Sequence, residues 1–172
     1  TVNIGGRDYP YVQIGNYLWL AENLQYHTQS QFYYPNGDSN LEDKYGLLYN
    51  YDNILEIKTL NTNGFRLPSI QELSNIVTIY DTDIHALQVN SPTIWDGVGT
   101  NTSKFSSIPS GSYNAISGKY QYFNEQHIIW SDTIIETGRL GRLGISKNNK
   151  YYNGSADSTS NYFSIRLVKD VT

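Results

Sequence analysis

The chain has 172 residues, of which 38% are apolar and 16% charged, with a formal net charge of −4. That length suits one domain, here taken as 1–172, burying about 70% of its extended-chain surface, and the composition excludes a disordered polyelectrolyte. The acidic balance argues against a nucleic-acid partner, no apolar run reaches the ~18 residues of a membrane span, and the lack of cysteine removes disulfides, thiolate metal sites and cysteine nucleophiles together.

The first third reads as a β-meander. Val2 and Ile4 precede the turn cluster Gly5-Gly6-Arg7-Asp8, and the runs Tyr9–Ile14 and Tyr17–Ala21 flank Gly15-Asn16, a two-residue hairpin signal. Asn36 to Asn40 form a polar loop, and Tyr45-Gly46-Leu47-Leu48-Tyr49-Asn50-Tyr51 restarts ordered structure. Pro68 stops any helix arriving from upstream and biases Leu67 towards an extended conformation. Ser69 with Glu72 three residues later is a capping box, and Ile70, Leu73, Val77 and Tyr80 make one apolar stripe. One amphipathic helix is therefore predicted over about 69–80, with a second, short one over 83–88. From Trp95 on, Gly, Ser, Asn and Pro punctuate short apolar runs, which predicts a loop-rich C-terminal half with short antiparallel strands. His127 to Ser131 reads as an apolar strand, and Phe163, Ile165 and Leu167, alternating with Ser164 and Arg166, as a half-buried closing strand. The fold class is α+β.

Taken in order, several runs resemble the Fibrobacter succinogenes major paralogous domain. They are Tyr11–Gly15 with Trp19-Leu20-Ala21-Glu22-Asn23-Leu24, Tyr45–Asn50, Gly64-Phe65-Arg66-Leu67-Pro68 with Glu72-Leu73, Thr100–Gly111, Trp130-Ser131, and Phe163–Asp170. Phe65 stands where that pattern more often has Trp, and Leu167 where it has Cys; both substitutes are apolar. The resemblance implies a C-type-lectin-like fold near the formylglycine-generating branch. It also implies a bacterial protein that is secreted or held at the cell surface, through a signal or anchor outside this segment; the chain starts at Thr1 and reads as a mature or trimmed piece. That branch holds copper through cysteines, so its activity is excluded here.

A fold of this kind fixes no function by itself. His27, His85 and His127 lack metal-ligand spacing, and Ser131, near His127, lacks the glycine neighbours of a strained nucleophile turn. No enzyme is expected, and no cofactor. The calcium motif of the lectin branch, Glu-Pro-Asn with a later Trp-Asn-Asp, is absent; Asp38, Asn40, Glu42 and Asp43 form an acidic loop that suits a hard cation or a solvated surface equally. The stretch 147–162 has almost no aliphatic residue and uses the Tyr, Asn, Ser, Gly and Asp palette of antibody binding loops. The expected contact residues are Tyr151, Tyr152, Asn153, Asp157, Asn161 and Tyr162, with Tyr113 and Asn114 as neighbours. The partner is a protein or a glycan. The alternatives are a structural scaffold of a surface assembly, a calcium-dependent glycan-binding lectin, or a binding protein diversified by a retroelement, whose mutable positions fall just before the closing strand in proteins this resembles.

Overall fold

A computed structural model describes residues 1–147 and 151–171, with the side chains of 151–157 outside the description. Four small antiparallel sheets and three short helices make up an α+β architecture. The N-terminal third is two hairpins in separate sheets, not one meander. β1 (Val2–Ile4) pairs with β2 (Arg7–Tyr9), while β3 (Tyr11–Ile14) pairs with β4 (Tyr17–Leu20). Gly5 and Gly6 both have positive φ, which suits the tight turn between β1 and β2. β10 (Val168–Asp170) then pairs with the inner strand β4, giving the order β10-β4-β3.

Three helices follow from local chemistry. α1 (Glu42–Tyr45) is a single turn. α2 (Tyr51–Ile57) is capped by Asn50 and Asn53, each side chain accepting from the other's backbone N–H, and buries Ile54 and Ile57. α3 (Ile70–Ile79) is the expected amphipathic helix. Ser69 Oγ accepts from the Glu72 N–H at 3.2 Å and Glu72 Oε2 from the Ser69 N–H at 2.7 Å, while Leu73, Ile76 and Val77 face the core. Glu72 also takes two hydrogen bonds from Arg66, at 2.7 and 2.9 Å, and Arg66 reaches on to Asp170. Burial alone would raise the Glu72 carboxyl, but the guanidinium and the Ser69 N–H outweigh it and hold it below the usual carboxylate range. The second predicted helix reduces to one 3-10 turn, Ile84–Ala86.

The C-terminal half carries longer strands than its composition suggests. A hairpin of β5 (Ser112–Asn114) and β6 (Lys119–Gln121) precedes β7 (Gln126–Glu136), β8 (Arg139–Ser146) and β9 (Tyr151–Ser158), which form a sheet in that order with bulges in both pairings.

Two apolar clusters lie on either side of a shared central layer. Leu20, Ile128, Trp130, Phe163, Ile165 and Leu167 face one of them, while Trp19, Ile129 and Val168 face the other. The closing segment is thus buried on both faces, and the expected half-exposed alternation is corrected: Ser164 and Arg166 are both at 0% exposure. Backbone bonds tie this segment to four distant stretches, through Tyr49, Ile128 and Trp130, Leu20 and Leu24, and Arg66. It is the keystone of the fold, not its edge.

Candidate functional site

Arg166 sits where a polar network crosses the centre of the molecule. Asn23 Oδ1 accepts from Arg166 Nε at 3.1 Å, from Arg166 Nη2 at 2.8 Å and from His127 Nε2 at 2.8 Å, and Asn23 Nδ2 donates to the Tyr45 carbonyl. Arg166 Nη1 donates to the carbonyls of Leu20 and Phe105, and the guanidinium lies 4.6 Å from the Phe105 ring centroid. With Asn23 Oδ1 as the shared acceptor, His127 donates through Nε2 and its Nδ1 accepts from the Ser107 hydroxyl at 2.9 Å. Ser110 and Ser164 hydroxyls meet at 2.6 Å beside it. Burial, with the nearby Arg166 charge second, pushes the His127 imidazole well below its ordinary value, so it is neutral at pH 7. Burial likewise pulls Arg166 down to about 9, which leaves it charged at neutral pH.

The order Ser107, His127, Asn23 has the form of a nucleophile, a base and an orienting amide. All three side chains are sealed: Ser107 and His127 are at 0% exposure and Asn23 at 2%. The Ser107 carbonyl is also taken by the Trp95 indole at 2.8 Å. A substrate has no route to that hydroxyl. Ser131, for its part, donates to the Gly141 carbonyl and makes no bond to His127.

The acidic loop is distributed among other partners. Asp38 caps the 3-10 turn at Ser39–Leu41 by accepting from Asn40 N and Nδ2, Glu42 meets His27 Nε2 at 2.7 Å, and Asp43 pairs with Arg7. Among the described residues no group of three or more His, Asp or Glu side chains is placed to hold a metal ion.

The predicted contact residues fall on three parts of one region. Tyr113 is paired across the β5–β6 hairpin with Tyr120; on that face both rings meet Tyr33, and Tyr113 also meets Tyr162. Tyr33 and Tyr113 stack with centroids 3.8 Å apart, and Tyr162 stands edge-on to both. Tyr162 is only 7% exposed and its hydroxyl accepts from Asn50 Nδ2 at 3.1 Å, so it supports this cluster from beneath and presents little surface. Interaction with the Tyr113 hydroxyl, and then burial, push the Tyr33 phenol up to about 12. Because strand residues alternate, Ser112, Asn114 and the cross-strand Gln121 occupy the opposite face of the hairpin. There they line a groove of about 330 Å³ with Tyr122, Arg142, Asn161 and Phe163. Arg142 lies 5.4 Å from the Phe163 ring centroid. Gly111 lets the hairpin seat at this place, since a Cβ there would stand 2.5 Å from the Gln121 carbonyl oxygen.

Tyr151, Tyr152, Asn153 and Asp157 lie on β9, next to β8, with Arg142 opposite Ser155 in register; their side chains are outside the described residues. Sequence reasoning did not find Gln121, Tyr122 or Arg142. The signal was present in the short hairpin Ser112–Gln121, whose period of two puts Gln121 on the same side as Asn114. Two other clefts of similar size differ in chemistry. One, of about 290 Å³ between the β3–β4 turn and α3, contains Glu72, already bound by Arg66; the other, of about 320 Å³ beside α2, contains Lys58 and Asp132, paired with each other.

The model of the Fibrobacter succinogenes major domain matches residues 12–169. No curated protein and no solved structure matches the chain.

Proposed function

The chain belongs to the Fibrobacter succinogenes major domain family, and from that premise and the geometry of the hairpin groove we propose that it is a recognition module acting without covalent chemistry. In this reading its fold is C-type-lectin-like, it works outside the cytoplasm on a bacterial surface or a secreted product, and it takes a protein or glycan ligand. One observation carries the proposal. The Gln121 amide and the Tyr122 hydroxyl make no hydrogen bond to any described residue, yet they stand on a hairpin fixed from behind by four packed tyrosine rings. Polar groups carried on a packed backbone and left unmatched by the described residues are what a binding site requires.

The contact surface is taken to continue along β9 through Tyr151 and Tyr152, the positions expected from composition. Nuclear magnetic resonance of the labelled domain tests this with a pooled library of saccharides, short peptides and small polar metabolites. Backbone shifts confined to 111–122, 142 and 161–163, with or without 151–157, are expected. Shifts elsewhere, or none, would remove the groove as the site. Repeating the titration with chelator separates a calcium-dependent lectin from calcium-free recognition. Substituting Tyr151 and Tyr152 together by Ala is expected to weaken binding and move the melting temperature by no more than a few degrees.

A scaffold role within a surface assembly is the second reading. It is favoured by Ile134 and Ile135, 67% and 43% exposed near the end of the long β7–β8 hairpin, where a neighbouring subunit would cover them. Diversification by a retroelement rests on the composition of 147–162 and would be ended by a gene neighbourhood with neither a reverse transcriptase nor a near-identical template repeat.

A further inference from the structure

We infer that the groove beside the β5–β6 hairpin receives a sugar ring, one or two residues of a glycan, through amide and hydroxyl side chains; this rests on the reading of the groove as a ligand site. Size narrows the class first. About 330 Å³ is the lower end of small-molecule pockets, whereas a stable protein partner covers on the order of 800 Å² of one surface. The lining then narrows it again. Ser112, Asn114, Gln121 and Asn161 make the groove polar, which disfavours an apolar ligand, whose transfer from water needs an apolar wall.

The form of the polar groups points to hydroxyls. Asn114 Oδ1 already accepts from the Ser117 N–H at 2.9 Å, so Asn114 faces a ligand with its two Nδ2 donors. Gln121 offers a carbonyl acceptor and an amide donor side by side. Neighbouring hydroxyls of a sugar each donate and accept, so an adjacent pair satisfies such an amide in full, which a carboxylate, accepting only, does not. Tyr122 completes the set. It is 45% exposed at the rim, held by a backbone φ of +59°, and offers both a phenol oxygen and an aromatic face for the C–H side of a pyranose.

The test is a titration of the labelled domain with methyl glycosides of the common hexoses, N-acetylhexosamines and their disaccharides. Size-matched polar molecules that are not sugars, namely amino acids, dicarboxylates and nucleosides, form the second arm. Saturable shifts at 112–114, 121–122 and 161 with at least one glycoside, weakened ten-fold or more by Gln121→Ala and by Tyr122→Ala, are expected. Both variants should keep the wild-type unfolding midpoint, since neither side chain bonds to a described residue. Binding of a non-sugar in the groove with no glycoside bound would overturn the sugar assignment and leave the groove a ligand site. Silence of the groove in both arms would overturn both.

Discussion

Two polar regions of this molecule lie within a few residues of each other and behave in opposite ways. In the network around Arg166, donors and acceptors are matched inside the protein: the Asn23 amide oxygen serves three donors, and the guanidinium finds three carbonyls and a ring face. Across Gly111, whose backbone bridges to His127, the hairpin groove carries an amide and a phenol with no hydrogen-bond partner among the described residues. Burial decides the difference. An unmatched buried polar group costs about 1–3 kcal/mol, which favours a matched network around Arg166, while a group at the surface is matched by water at little cost and stays open to exchange. Saturated polarity holds a fold together; unsaturated polarity is available to a ligand.

The comparison breaks most severely at Arg166. Arg166→Leu removes two of the three donors to Asn23 Oδ1 and the guanidinium's bonds to three carbonyls, and is expected to cost about 3–5 kcal/mol in urea unfolding, enough to unfold a marginal domain. Arg166→Lys should rescue little of this, since an ammonium cannot reach the same acceptors with the planar fork of the guanidinium. A fully stable Arg166→Leu protein would show the network to be dispensable.

Acid attacks the same region through His127. Its folded value is depressed, so below the unfolded value of ~6.5 the unfolded chain binds a proton that the folded protein refuses. The stability contributed by the neutral ring is whole above that value and lost as pH falls, at about 1.4 kcal/mol per pH unit until the folded value is reached. Urea midpoints at pH 7.5, 6.5 and 5.5 should decline accordingly, and the decline should be shallower in a folded His127→Gln variant. Equal slopes would place the acid sensitivity elsewhere.

The smallest effect on stability belongs to the groove. Gln121→Ala is expected to change unfolding free energy by less than about 0.5 kcal/mol, because it removes an exposed side chain that bonds to no described residue. A large loss there would mean that the groove is part of the framework and erase the contrast.

What could be read from residues alone follows from how local each signal is. The helix at Ile70–Ile79 was legible because its cap and apolar stripe lie within twelve positions. α2 was not, because its capping pair is Asn50 and Asn53 instead of the Ser/Thr with Glu/Gln that marks a helix start. In the closing segment, alternation was visible but its meaning was not: Ser164 and Arg166 look like a wet face, and only distant partners, such as Asn23, 143 positions away from Arg166, make them interior. Tyr162 likewise joins the stack instead of the rim because Asn50, 112 positions away, meets its hydroxyl. Tyr113, Asn114 and Asn161 all border the hairpin groove, but the alternation of a three-residue strand sorts the side chains of the first two onto different sides.

The position of the closing segment has a consequence for how the chain is made. Phe163 to Val168 occupies the layer between the two apolar clusters and bonds to Leu20, Leu24, Tyr49, Arg66, Ile128 and Trp130. Both clusters take residues from it, so neither is complete until these residues have been synthesised and have docked. Loop closure over such separations is slow. The domain is therefore expected to gain its cooperative packing in one late step, when the closing segment enters the layer between the two clusters.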